Sequence, residues 1–346
     1  MPGDLDHVFF SNSGSESVDT AIKIALAYQR ARGKGTKVRI LGRERGYHGV
    51  NIAGISVGGI GYNRKVFSAA MMPGVDHIPH TYNREKQAFS KGQPEWGAHL
   101  ADVLEDKILL HDAENIAAVI IEPVAGSTGV LVPPQGYLEK IRAICTKHDI
   151  LLIFDEVITG WGRLGKATAA ERFNVMPDIL TSAKAINNAA VPMGATFIRK
   201  GIYDTFMQGG EFGIEFMHGY TYSGHPLACA ATLATQDVYQ EEKLFDNAAR
   251  LEKTWIEALH SLKDAPYVID IRAIGLMGGV ELDPGKRTPP SEMSRAMEVF
   301  DKLFFEHNIV IRFTANTIAM SPPLIINESQ IEEIATKIRK ALETVK

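Results

Sequence analysis

Ile150-Leu151-Leu152-Ile153-Phe154-Asp155-Glu156-Val157 is a short apolar run that meets two acids, Asp155 and Glu156. A run this short without alternation reads as a strand buried on both faces, the kind that lies inside a parallel sheet covered by helices. Strands of the same type are expected at 7–11, 37–41, 117–122, 151–155 and 194–198, with amphipathic helices between them that include 15–31, 134–148 and 226–240. The alternation predicts an α/β domain over residues 1–240, with a central, mostly parallel sheet flanked by helices. From about 58 to 98 the pattern lapses into glycines and scattered polar residues, expected to run over the surface beside the sheet. After residue 240 the helices become more charged (241–262, 291–307, 328–345) and alternate with strand-like runs at 268–274, 278–282, 310–313 and 317–321. That stretch, 241–346, is expected to form a smaller C-terminal α+β domain.

The chain has 346 residues, 45% of them hydrophobic and 23% charged, enough for one large domain and a smaller one. A formal net charge of −4 gives no attraction for nucleic acid or an anionic membrane, so the expected partners are small molecules. Cys145 and Cys229 are the only cysteines, too few for a disulfide framework. No apolar run reaches the roughly 18 residues that cross a bilayer, and the start lacks a basic leader. A cytoplasmic location is expected.

Asp155 closes its strand at the carboxyl end, where open α/β sheets present ligand-binding side chains. Taken alone it reads more commonly as a cap on the following helix or loop. Val157, two residues on, points to the same side. Lys184 lies in a small, apolar stretch, Thr181-Ser182-Ala183-Lys184-Ala185-Ile186. Burial there disfavours its charged form and leaves an amine able to attack an aldehyde and carry a proton; an exposed strand-edge lysine is the plain alternative. A carboxylate that keeps a pyridine nitrogen protonated and a lysine that binds an aldehyde covalently define the two ends of pyridoxal phosphate.

Asn12-Ser13-Gly14-Ser15-Glu16 joins a strand to a helix, with Ser13 or Ser15 as cap, and offers free amides to a phosphate. Tyr47, in Gly46-Tyr47-His48-Gly49, can lay an aromatic face on a heterocycle. Glu122-Pro123 ends another strand on an acid. His218-Gly219-Tyr220-Thr221-Tyr222-Ser223 precedes a helix of small residues and can serve an anion. Arg312 can pair with a substrate carboxylate or make a structural salt bridge. Arg272 reads as structural, and His77 and His80 have too few acidic neighbours to suggest a metal.

The ordered set Ser13-Gly14-Ser15-Glu16, Tyr47-His48-Gly49, Glu122-Pro123, Asp155-Glu156-Val157-Ile158-Thr159-Gly160, Lys184 and Thr221 resembles the class III aminotransferases of fold type I. The likeness covers essentially the whole chain. It is strongest to the branch that moves amino groups from ω-amino acids such as β-alanine to pyruvate. Taurine, γ-aminobutyrate or an amine as donor, or an inactive cofactor-binding fragment, remain alternatives.

The resemblance implies pyridoxal 5'-phosphate as cofactor and no metal. It makes Lys184 the cofactor-bearing lysine, Asp155 the partner of the pyridine nitrogen, and Val157 and Tyr47 the two sides of the ring. Ser13, Gly14 and Ser15 fall in the phosphate loop, and His48 and Glu122 in the cofactor pocket. Thr221 is expected to reach the phosphate in a neighbouring subunit of a homodimer or dimer of dimers. Arg312 is expected to hold the substrate carboxylate, with Glu122 available to neutralise it. Family members carry a further N-terminal segment. The chain is therefore expected to be a fragment or short form, or to leave that segment's roles unfilled.

Overall fold

The computed structural model describes residues 1–210, 213–286 and 293–345. Among the described residues the large sheet has seven strands: β1 (His7–Ser11), β2 (Arg39–Arg43), β3 (Val75–Ile78), β4 (Ile116–Ile121), β5 (Leu151–Asp155), β6 (Ile179–Ser182) and β7 (Gly194–Ile198). Their order is β1-β7-β6-β5-β4-β2-β3. Neighbours from β3 to β6 pair parallel. Only β7 runs against the rest, pairing antiparallel with both β6 and β1. The carboxyl ends of β1, β2, β4, β5 and β6 therefore meet at one edge of the sheet.

Every residue of β4 and β5 is buried, as the unbroken apolar runs require of strands covered on both faces. Each fully buried Ile, Leu or Val there contributes about 1.5–3 kcal/mol relative to exposure. The helix Gly14–Ala31 packs Val18, Ile22 and Ala25 onto one face of the sheet. The helix Tyr137–Lys147 packs Leu138, Ile141 and Cys145 onto the other.

A second sheet, β10-β11-β9-β8, is built from β8 (Val268–Ile274), β9 (Met277–Leu282), β10 (Arg312–Thr314) and β11 (Thr317–Met320), all antiparallel. Helices Leu244–His260, Arg295–His307 and Glu328–Thr344 cover it around the fully buried Trp255. The start of the helix expected over 291–307 falls outside the described residues.

Several expectations shift. The strand expected at 37–41 begins two residues later, because Lys37 turns inward and its Nζ donates to the carbonyls of Ala113 (3.0 Å) and Asp149 (2.9 Å). The surface excursion over 58–98 contains β3, a four-residue edge strand whose Asp and His hide it from an apolar pattern. β6, also of four residues, is too short for its pattern to mark it as a strand in the sequence. The helix expected to run from 241 starts at Leu244, after Lys243 turns the chain in the left-handed region (φ 51°). No helix among the described residues is long and apolar enough to cross a membrane.

Candidate active site

The segments leaving the converged strand ends enclose a cavity of about 140 Å³. Gly14 and Ser15 enter it after β1, Tyr47, His48 and Gly49 after β2, Glu122 after β4, Asp155, Val157 and Ile158 at the end of β5, and Ala183 and Lys184 after β6. Asp155 pairs with Thr181 in the β5–β6 ladder, so Lys184, three residues on, rises beside it.

Asp155 is held on both oxygens. Oδ1 accepts the Val157 N–H at 3.1 Å, and Oδ2 lies 2.8 Å from His48 Nδ1, whose ring N–H donates. His48 Nε2 is buried with no hydrogen-bond partner among the described residues. Lys184 takes a left-handed backbone conformation (φ 46°) at the start of a short 3-10 turn. Burial holds its amine below the ordinary lysine range; Asp155 and Glu122 pull it back up, and the positive charge of Arg312 lowers it further.

Glu122 does something the sequence did not suggest. Its Oε1 accepts the Tyr47 N–H (2.9 Å) and its Oε2 the Gly126 N–H (3.2 Å), so the carboxylate ties two loops together. Complete burial pushes its pKa up. Arg312, for which Glu122 is the expected counterion, is exposed and lines a neighbouring hollow with Trp255, Ile309 and Met320.

Ser13, not Ser15, caps the first helix, its hydroxyl accepting from the Glu16 N–H at 3.2 Å. Ser13 is absent from the cavity wall. Ser15 remains free to face the cavity, with its Oγ accepting the Val50 N–H at 3.1 Å. A Cβ on Gly14 would stand 3.0 and 3.1 Å from the Val157 methyls, so a side chain there would close the slot between them. Gly49 closes the Gly46-Tyr47-His48-Gly49 motif. Its φ of +95° and the 2.5 Å that a Cβ would leave to Ser15 Oγ make it the residue that lets two loops touch.

Thr221 is exposed and does not line its own chain's cavity. Its segment is docked on the first helix and β1: His218 bonds Thr20 Oγ1 and Lys23 Nζ, each at 2.9 Å, and Ser223 Oγ donates to the Phe10 carbonyl at 2.7 Å. Arg272 is structural as expected, paired with Asp270 and Glu281 in the second sheet. Ile158 and Ala183, which stand inside the quoted motifs without a role of their own, also line the cavity.

Residues 1–342 match the family model for aminotransferase class III. The chain belongs to the class III aminotransferases. It is 59% identical over 344 residues to the omega-aminotransferase of Caulobacter vibrioides, covering 99% of this chain and 77% of that protein. The beta-alanine–pyruvate aminotransferase of Pseudomonas aeruginosa is 47% identical over 348 residues, covering 100% and 76%. Among solved structures, an (S)-enantioselective omega-transaminase from Thermomicrobium roseum superposes with a TM-score of 0.91 at 37% identity, over 99% of this chain and 76% of that one. The enzymes of this family depend on pyridoxal phosphate.

Proposed function

We propose that this aminotransferase moves the amino group of β-alanine or a similar ω-amino acid to pyruvate, with pyridoxal 5'-phosphate held by Lys184. The observation that carries the reading is the meeting of a cavity-lining lysine of lowered basicity and a buried, doubly held carboxylate at one cavity, from neighbouring strands. The names of the relatives from Caulobacter vibrioides and Pseudomonas aeruginosa support the donor and acceptor classes.

The residues fit the cofactor. The N-terminus of the 18-residue helix Gly14–Ala31 opens on the cavity and presents amides, with the Ser15 hydroxyl beside them, to a phosphate. Asp155 would face the ring nitrogen, and Tyr47 and Val157 the two ring faces. When bound, pyridoxal phosphate supplies an aldehyde that captures amines and a conjugated ring that accepts an electron pair.

The rest of the work falls to the chain. Displaced by the donor amine, Lys184 Nζ would stand free beside the amine-bearing carbon and would take its proton. Its lowered pKa increases the neutral fraction able to do so. The donor would leave as its semialdehyde after taking up water. Pyruvate, giving up its carbonyl oxygen as water, would receive the amino group in the same cavity, with Lys184 Nζ returning the proton to the carbon that becomes that of alanine. Arg312 would receive the carboxylate of donor or acceptor. The exposed Thr221 segment and the exposed Leu227 and Leu233 on the helix Pro226–Glu241 support a homodimer in which Thr221 serves the partner's phosphate.

The test is the visible spectrum of the purified chain with pyridoxal phosphate, before and after β-alanine. A band that forms and then bleaches supports the reading, and its loss in Lys184→Ala assigns the lysine. A band that forms identically in Lys184→Ala would remove it.

A further inference from the structure

Trp161 adopts a left-handed backbone conformation (φ 59°) that is rare for a bulky side chain. The surrounding loop holds it there: the Trp161 N–H donates to the Ala167 carbonyl at 2.7 Å and the Gly162 N–H to the Lys166 carbonyl at 3.0 Å. The conformation aims the indole Nε1–H at Ser182 Oγ, 2.6 Å away. Ser182 ends β6 and is buried, and its carbonyl accepts from Ser17 Oγ at 3.1 Å. Two residues later comes Lys184, itself in the left-handed region. Just beyond it, Tyr239 Oη donates to the Ala185 carbonyl at 2.7 Å.

The Trp161 ring also packs on two cores, that of the second sheet and the small cluster of Ile186, Met193, Ala195 and Ala228 beneath the lysine segment. Apolar packing alone would be met by a phenylalanine. The hydrogen bond to Ser182 would not.

We propose that Trp161 is a positioning residue: its indole N–H, acting through Ser182, sets the point at which β6 ends and so the direction from which Lys184 enters the cavity. This rests on the reading of Lys184 as the cofactor-bearing lysine. Loss of the bond lets the end of β6 relax and misdirects the amine without removing any group from the cavity.

The experiment is a pyridoxal phosphate titration of the full chain, read by visible absorbance, for wild type, Lys184→Ala, Trp161→Phe, Ser182→Ala and the Trp161→Phe/Ser182→Ala double variant. Thermal unfolding of each cofactor-free chain is measured alongside. Trp161→Phe and Ser182→Ala are each expected to raise the half-saturating concentration about five- to tenfold, the range of one hydrogen bond. The double variant should be no worse than the weaker-binding single, because both remove the same bond. The pH midpoint of the visible band should move alike in all three.

Additive effects, or wild-type affinity in Trp161→Phe with only a lower unfolding temperature, would overturn the positioning role and leave a packing residue. Should Trp161→Phe fail to fold, Ser182→Ala decides alone: unchanged affinity overturns the proposal. A band in wild type and none in Lys184→Ala keeps the cofactor reading standing whatever the other variants do. No band in wild type brings down both.

Discussion

His48 Nδ1 stands 2.8 Å from Asp155 Oδ2, and both side chains are buried at the carboxyl edge of the large sheet. The other Asp155 oxygen is held by the Val157 N–H, so the carboxylate cannot rotate without losing a bond. His48→Phe keeps a ring in place and removes the donor. A hydrogen bond to a carboxylate is worth about 1.5–3 kcal/mol, so pyridoxal phosphate affinity is expected to fall about 10- to 100-fold. Equal affinities in a titration would show that Asp155 needs no help from His48.

Arg312 acts on Lys184 through charge. A nearby cation disfavours the ammonium form, so Arg312→Ala should raise the lysine pKa. The rate at which the chain captures pyridoxal phosphate, followed against pH, should then climb at a higher pH than in wild type. If Arg312 also binds the substrate carboxylate, its loss should raise KM for β-alanine about tenfold or more, the effect of a lost charge-assisted pair. KM for a simple amine should hardly move. Parallel increases for both donors would deny it the role.

Glu156 follows Asp155 but turns into the core, where it accepts the N–H groups of Ala169 (2.5 Å) and Ala170 (2.9 Å) at the start of the helix Ala169–Phe173. Burial pushes its pKa from an ordinary 4.5 up to about 7. The folded chain therefore holds this proton more tightly than the unfolded chain does. The stability it contributes is complete below pH 4.5 and is lost as pH rises from there to about 7, about 3 kcal/mol in all. Wild type minus Glu156→Gln, compared by denaturant unfolding between pH 5 and 8, should show that slope; a flat difference would place the carboxyl in a more polar setting.

Gly49→Ala combines a φ of +95° with a Cβ 2.5 Å from Ser15 Oγ and 2.8 Å from its Cα. The backbone of the first helix cannot give way easily. A loss of about 1–3 kcal/mol in stability is expected, together with weaker phosphate binding because Ser15 is displaced. Inorganic phosphate competition against the cofactor reports the second effect, and an unshifted competition curve would separate Gly49 from the phosphate loop.

Much of the architecture was legible because it is local. Residues 151–154 and 117–121 are apolar without a break, and that alone demands burial on both faces and hence a covered sheet. The acids closing these runs, Asp155 and Glu122, had to fall at the strands' carboxyl ends. Ser13 before Gly14 and Glu16 announced a capped helix. The short strands β3 and β6 were missed because four residues carry too little periodicity to register.

Motif order along the chain points by itself to Lys184, Asp155, Gly14, Ser15, Tyr47 and Val157. Only the tertiary structure decided that β7 runs against its neighbours and brings β1 round to the same edge as β5 and β6. It alone showed that Glu122 spends both oxygens on backbone amides, that Gly49 must make room for Ser15, and that Trp161 reaches Ser182. Each of these depends on groups far apart in sequence coming within hydrogen-bond or van der Waals distance. Such distances are set by how the layers pack, and no local pattern of residues encodes them.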